Sequence, residues 1–62
     1  MHQLEHEIQA VSDAFNQGQI SQSERDYLLT EIRDVKAAQE CADNEETFRY
    51  VVQACNIAMG LV

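Results

Sequence analysis

The chain has 62 residues, with no proline and only two glycines and two cysteines. Proline breaks or kinks a helix, so its absence means that no predicted helix is interrupted in this way. Gly18 and Gly60 stand alone, so the sequence has no glycine-rich loop that would cradle a phosphate. Cys41 and Cys55 do not make a disulfide framework, and a reducing compartment would leave both as thiols.

Positive charge and aromatic rings are scarce as well. Four cations stand against eleven acidic residues, which gives a formal net charge of -7. The cations form no cluster, and this argues against nucleic-acid binding through phosphate contacts and against docking on an anionic membrane. The four aromatic residues are too few and too scattered for a platform on which bases stack.

No segment is long enough to cross a bilayer. The most apolar stretch, residues 48–62, covers about fifteen residues and contains Arg49, Gln53 and Asn56. A membrane-spanning helix needs about 20 apolar residues. The N-terminus, with Glu5 and Glu7, has neither the basic region nor the apolar run of a signal peptide. We therefore expect a cytoplasmic protein, or one inside an assembly built in the cytoplasm.

The apolar pattern predicts a first helix over about residues 2–17. Its large apolar residues recur at i, i+4, i+7 and i+11. These residues are Leu4, Ile8, Val11 and Phe15, and alanines 10 and 14 lie beside them. Gly18 supplies the left-handed residue that ends a helix. Ser21 and Glu24 then have the spacing of a capping box, which predicts the start of the next helix.

The second helix is predicted over about residues 22–41. Its inward stripe is expected to contain Leu28, Ile32, Val35, Ala38 and either Cys41 or Ala42. Most of its charged residues are assigned to a solvated face. Asp43 and Glu46 repeat the capping spacing, so a third helix should begin near residue 45 and run to about 61. A fused long rod of helices two and three is the alternative, because this break has no glycine.

The third helix is apolar nearly all round, apart from a narrow polar seam of Arg49, Gln53, Asn56 and Gly60. One apolar stripe, with Ala58, is assigned to an internal seam: Phe48, Val51, Val52, Cys55, Met59 and Val62. A second stripe, with Ala54, is assigned to a partner-facing surface: Tyr50, Ile57 and Leu61. A soluble chain of this length has few elements with which to cover such a helix, so we read the second stripe as an interaction surface.

Residues that could carry chemistry are few. His2 and His6 have the i, i+4 spacing of a partial zinc site, but the sequence implies no third ligand. Four carboxylates lie within residues 40–46, yet the glycine of a calcium loop is missing. In a helical hairpin Cys55 would lie about 13 Å along the axis from the residue facing Cys41, beyond the ~7 Å reach of a disulfide. We expect no catalytic residue, cofactor, metal or small-molecule substrate.

Residues 14–24, AFNQGQISQSE, and the following Tyr27-Leu28-Leu29 resemble the short helix-turn-helix module known as SHOCT. The shared features are a helix, a glycine, an Ile or Val, a Ser or Thr cap, an acidic residue three positions later and an apolar pair. The resemblance covers roughly residues 8–35. It departs from the family in that a further apolar helix follows. It implies an oligomerising or docking module without catalytic residues.

The sequence as a whole predicts one all-α domain over residues 1–62, built from three helices. A chain this short is near the lower limit for an independent core, so a hairpin or small bundle should complete its core by oligomerisation or partner docking. The expected function is non-enzymatic assembly, with copies of itself or as an accessory subunit of a larger complex such as a phage particle. The alternative is an acidic regulator that occupies a basic surface of a target protein.

Overall fold

The computed structural model describes residues 3–61 and confirms a small all-α fold with three helices and no strand among those residues. Helix α1 is Gln3–Asn16 and helix α3 is Glu45–Ala58. Between them, helix α2 covers residues 22–40 and has three parts. It begins as the α-helix Gln22–Glu31, continues as a π-helical turn over Ile32–Lys36 and ends as the short α-helix Ala37–Glu40.

The turn between α1 and α2 has the geometry that the sequence predicts. Gly18 has a φ of 76°, and the amides of Gly18 and Gln19 donate back to the carbonyls of Phe15 and Ala14 at 3.0 and 2.9 Å. The Ser21 hydroxyl accepts from the Glu24 amide, and the Glu24 carboxylate accepts from the Ser21 amide, both at 3.1 Å. The capping box therefore satisfies two backbone amides at once and fixes where α2 begins.

The turn between α2 and α3 separates the two helices, so the fused rod is wrong. The predicted capping residue is also wrong by one position. Asn44 has extended backbone angles, and its side-chain oxygen accepts from the Thr47 amide at 3.0 Å. An amide oxygen at the N-cap satisfies a helix amide much as a carboxylate would, so Asn44 makes the contact that the sequence assigned to Asp43.

Helix α3 ends at Ala58, three residues earlier than the predicted 61. Gly60 has a φ of 78°, and the amides of Gly60 and Leu61 donate to the carbonyls of Ile57 and Asn56 at 3.0 and 2.9 Å. This is the hydrogen-bond pattern of a Schellman motif, which closes a helix around a left-handed glycine. Gly60 thus stops the helix and is not a member of its polar seam.

The two turns reverse the chain twice, so α1 and α3 run in the same direction and α2 runs against both. At one end a hydrogen bond joins Tyr50 of α3 to Glu5 of α1. At the other end Arg25 of α2 lies over the Phe15 ring, 4.5 Å from its centroid, and donates to the Met59 carbonyl at 3.2 Å. The helices enclose one core, made of Leu4, Ile8, Leu29, Ile32, Ala37, Cys41, Val51, Cys55 and Met59.

The predicted inward stripe of α2 is wrong for most of its members. Leu28, Val35, Ala38 and Ala42 are exposed, whereas Ile32 and Cys41 are buried. The residues that face inward are Leu29, Ile32, Ala37 and Cys41. Their steps are three, five and four residues, and the step of five coincides with the π turn, in which the Ala37 amide donates to the Ile32 carbonyl. The π turn therefore rotates the second half of α2 by one residue.

Candidate interaction surface

Helix α3 divides its apolar residues between the core and the surface. Val51 and Cys55 are fully buried, Met59 is buried, and Phe48 is half-buried against the core. Val52, which the sequence assigned to the internal seam, is only half-buried and lies outside the core cluster. Val62 lies outside the described residues. The partner-facing assignment places Tyr50, Ile57 and Leu61 at the surface, and their exposed fractions are 53%, 55% and 64%.

We call Tyr50, Ala54, Ile57 and Leu61 the α3 stripe. The spacing of i, i+4, i+7 and i+11 places these residues along one side of the helix, with Leu61 just beyond its end. Ala54 shares this stripe with the three larger residues, but it is half-buried and packs against the core. It therefore forms a low point between the larger side chains. No charged residue occurs in the sequence from Tyr50 to Leu61, so the stripe is apolar without interruption by charge.

A groove of about 360 Å³ runs between α1 and α3 beside this stripe. It is lined by Glu5, His6, Ile8, Gln9, Tyr50 and Ala54. Ile8 and Ala54 give it an apolar floor, and the Glu5 carboxylate accepts a hydrogen bond from the Tyr50 hydroxyl. That hydrogen bond, followed by the negative charge of Glu5, raises the pKa of Tyr50. Tyr50 and Glu5 therefore lie side by side at the groove.

One carboxylate lines the groove, and two more lie one helical turn beyond its lining. Glu5 lies at one end, and Gln9 donates from its side-chain amide to Asp13 one turn along α1, at 2.9 Å. On α3, Glu46 precedes Tyr50 by one turn and is exposed. Residues four apart share a face of a helix, so Asp13 continues the side of α1 that carries Gln9, and Glu46 extends the α3 stripe. What we call the rim is this set of three carboxylates, one in the groove and two beyond its lining, beside an apolar floor and the exposed His6.

All four Lys and Arg side chains are held in ion pairs within the chain. The pairs are Arg25–Asp26 at 2.9 Å, Arg33–Asp34 at 2.8 Å, Lys36–Glu7 at 2.6 Å and Arg49–Glu45 at 2.7 Å. The hydrogen bond from Arg33 lowers the pKa of Asp34, and the hydrogen bond to Glu7 raises the pKa of Lys36. In the described part of the chain, seven of the eleven carboxylates lie outside these ion pairs.

Two arginines of α2 join it to α3, which the sequence reading missed when it placed most charges on a solvated face. Arg33 donates to the Asn56 side chain at 2.8 Å, and Arg25 reaches the Met59 carbonyl. The Arg25 side chain is only 12% exposed. Their positions, four residues on either side of Leu29, signal that they share its inward face. These contacts fix how α2 lies against α3 and leave the opposite side of α3 uncovered.

Exposed apolar residues also occur on α2, but charges interrupt them. Leu28 is 37% exposed and Val35 is 47% exposed. Leu28 lies in a groove of about 250 Å³ between α1 and α2, whose lining includes Glu7, Glu31 and Lys36. The ion pair between Lys36 and Glu7 spans from one helix to the other at this groove. The α2 surface is thus divided by polar groups, in contrast to the α3 stripe.

Cysteine and histidine are the residue types in the described part of the chain that the sequence singles out for their chemistry. Cys41 and Cys55 are both buried, and burial raises the pKa of the Cys55 thiol to about 11. At neutral pH Cys55 is therefore a thiol and not the nucleophilic thiolate. Residues 3–61 contain no group of three or more His, Cys, Asp or Glu side chains that could hold a metal ion. His6 is exposed beside the groove, and His2 lies outside the described residues.

Comparisons of the chain with protein families, curated proteins and solved structures found no match. The resemblance to the SHOCT module over residues 8–35 therefore stays a hypothesis. Within the described residues no helix is long and apolar enough to cross a membrane.

Proposed function

We propose that this protein is a non-enzymatic helical interaction protein that works by assembly, with copies of itself or as an accessory subunit of a larger protein complex. The observation that carries the proposal is the α3 stripe. Its three large side chains remain more than half exposed although the core beneath them is filled. Apolar surface gathered on one side of a small protein is typical of a protein interface. A virion-type assembly is one setting that would suit such a subunit.

The test compares two substitutions of exposed aliphatic residues. Ile57 on α3 is 55% exposed and Val35 on α2 is 47% exposed, so an aspartate at either position should leave the core intact. We expect Ile57→Asp to abolish association, because it places a charge in an apolar interface. Val35→Asp is the matched control and should associate as the wild type does. Circular dichroism checks the fold, and light scattering at several concentrations measures the molar mass.

The proposal fails if the wild-type chain is monomeric and binds no amphipathic helix. It also fails if Ile57→Asp and Val35→Asp associate equally well, because the α3 stripe would then be ordinary surface.

The charge distribution favours a second function, in which the protein is an acidic regulator that occupies a basic surface of a target. The supporting observation is that all four Lys and Arg side chains are used within the chain, while most carboxylates remain outside those pairs. Raising the ionic strength distinguishes the two functions. Exposed charges are screened when the Debye length falls from about 10 Å at 0.1 M salt to about 3 Å at 1 M, whereas apolar docking persists.

A further inference from the structure

We infer that the groove between α1 and α3, together with the α3 stripe, binds a cationic amphipathic helix from another protein. This inference rests on the proposed function and names the class of partner. An amphipathic helix that places its apolar side in a groove is a common mode of peptide recognition. The surface found here offers both features that such a helix needs, an apolar floor and a rim of one charge.

The floor fixes the apolar pattern of the partner. From Tyr50 to Leu61 the stripe covers twelve residues, and eleven steps of 1.5 Å make it about 16 Å long. The half-buried Ala54 lies between the larger side chains of Tyr50 and Ile57 and leaves room for a bulky side chain of the partner. A helix with leucine-sized residues at i, i+4, i+7 and i+11 covers this length in about three turns.

The rim fixes the charge of the partner. Glu5 lines the groove itself, and Asp13 and Glu46 lie one helical turn beyond the lining residues Gln9 and Tyr50. Among the cations of the chain, Arg49 lies next to the stripe in sequence, and it is already paired with Glu45. The approach is therefore open to positive charge. Lysine or arginine flanking the apolar residues of a partner helix would complement it.

Charge also decides against a second copy of the chain as the occupant. Each copy has a net charge of -7, and pairing two α3 stripes would bring the acidic rim of one copy toward the acidic rim of the other. Like charges facing each other across an interface oppose association. A cationic helix makes the same apolar contacts, and its positive charges are attracted to the carboxylates that would repel a second copy.

The experiment uses three synthetic 18-residue helical peptides with the same leucine stripe and with lysine, glutamine or glutamate at the remaining positions. Their affinities for the full chain are measured by fluorescence anisotropy at 0.1 M salt. We expect the lysine peptide to bind at least tenfold more tightly than the glutamine peptide and the glutamate peptide not to bind. Ile57→Asp should remove binding, and Val35→Asp should keep it.

A charge-matched pair of variants tests whether the rim itself is responsible. The double variant Glu5→Gln and Asp13→Asn should weaken binding of the lysine peptide about tenfold. The double variant Glu31→Gln and Glu40→Gln removes the same charge from α2 and should leave the affinity within about twofold. Equal losses in both variants would show that overall charge attracts the peptide without a site, and this would overturn the inference.

Other outcomes separate this inference from the proposed function. The lysine and glutamine peptides could bind with equal affinity, and Ile57→Asp could abolish the binding of both. This result would overturn the inference that the partner is cationic, but it would support the α3 stripe as an interaction surface. A dimer that dissociates in Ile57→Asp and competes with the lysine peptide would make the second copy the occupant, which also overturns the inference. A monomer that binds none of the peptides would overturn the inference and the proposed function together.

Discussion

Helices α2 and α3 each carry two apolar stripes, but only α3 keeps one helical period from end to end. In α3 the stripe through Val51 and Cys55 is buried and the stripe through Tyr50 and Ile57 is exposed, as a 3.6-residue period indicates. In α2 the regular stripe through Leu28 and Val35 is exposed, and the irregular one is buried. The difference shows that a periodic pattern by itself does not decide which stripe of a helix faces the core.

The inward face of α2 explains why the π turn is needed. Leu29 and Ile32 are buried, and a regular α-helix would next place Lys36 and Glu40 on the same face, at i+7 and i+11 from Leu29. One additional residue in the π turn replaces them with Ala37 and Cys41, which are buried at 0% and 3% exposure. The turn thus keeps two charged side chains out of the core.

The contacts with α3 explain why the Leu29 face is used instead of the Leu28 face. Arg25 and Arg33 flank Leu29 by one turn, and they donate to the Met59 carbonyl and the Asn56 side chain. Thr30, next to Leu29, donates to the Met59 sulfur at 3.6 Å. Hydrogen bonds with a charged donor are stronger than those between neutral groups. These contacts belong to one orientation of α2 and stabilise it over the alternative.

The largest expected effect is the difference in stability between a glutamate at Ala37 and a glutamate at its neighbour Ala38. Ala37→Glu places an unpaired carboxylate in the core, at a cost of several kcal/mol. A chain of this length has a total stability of about 3–9 kcal/mol, so we expect Ala37→Glu to unfold it. Ala38→Glu should remain folded, because Ala38 is exposed. Circular dichroism and thermal melting measure both. The reverse order of stability would show that α2 has no π turn.

The next largest effect is the difference in stability between Leu29→Ala and Leu28→Ala, two substitutions in the first half of α2. Leu29 is fully buried, and removing a buried leucine side chain costs about 2–5 kcal/mol. Leu28 is partly exposed, so Leu28→Ala should cost less than about 1 kcal/mol. The free energy of unfolding from urea titration measures the difference. Equal costs would contradict the assigned inward face.

These variants concern the part of the fold that the sequence does not reveal. The helices, the Gly18 turn and the Ser21 capping box follow from local rules, because each depends on residues within a few positions of one another. The π turn depends on which face of α2 meets α3, and that contact joins residues more than twenty positions apart, such as Arg33 and Asn56. The exposed stripe of α3 was predictable from its period, whereas the acidic groove beside it required the position of α1.

A smaller effect distinguishes the two residues that could cap α3. Asn44→Ala removes the side-chain acceptor of the Thr47 amide and should cost about 1 kcal/mol. Asp43→Ala should change the free energy of unfolding by less than about 0.5 kcal/mol, because surface substitutions away from such contacts do so. Ser21→Ala, which removes the corresponding acceptor in α2, is the reference and should also cost about 1 kcal/mol. If Asp43→Ala lowers the free energy of unfolding as much as Asn44→Ala does, then the N-cap of α3 is Asp43 and not Asn44.

The smallest expected effect comes from deleting a residue. If the π turn exists because α2 has one residue too many for its inward face, deletion of Asp34 should remove the turn and keep the core. Leu29, Ile32, Ala37 and Cys41 would then follow the regular steps of three, four and four residues. The loss of the partly exposed ion pair with Arg33 should cost little, because exposed ion pairs contribute little to stability.

Deletion of Gln39 is the control for this prediction. It also shortens α2 by one exposed residue, but it leaves the π turn in place and rotates Cys41 away from the core. We expect the Asp34 deletion to melt cooperatively within a few degrees of the wild type and the Gln39 deletion to melt far lower. If the two deletions are equally destabilising, the π turn does more than correct the register of α2, and its backbone geometry is itself required for the packing of Arg33 against Asn56.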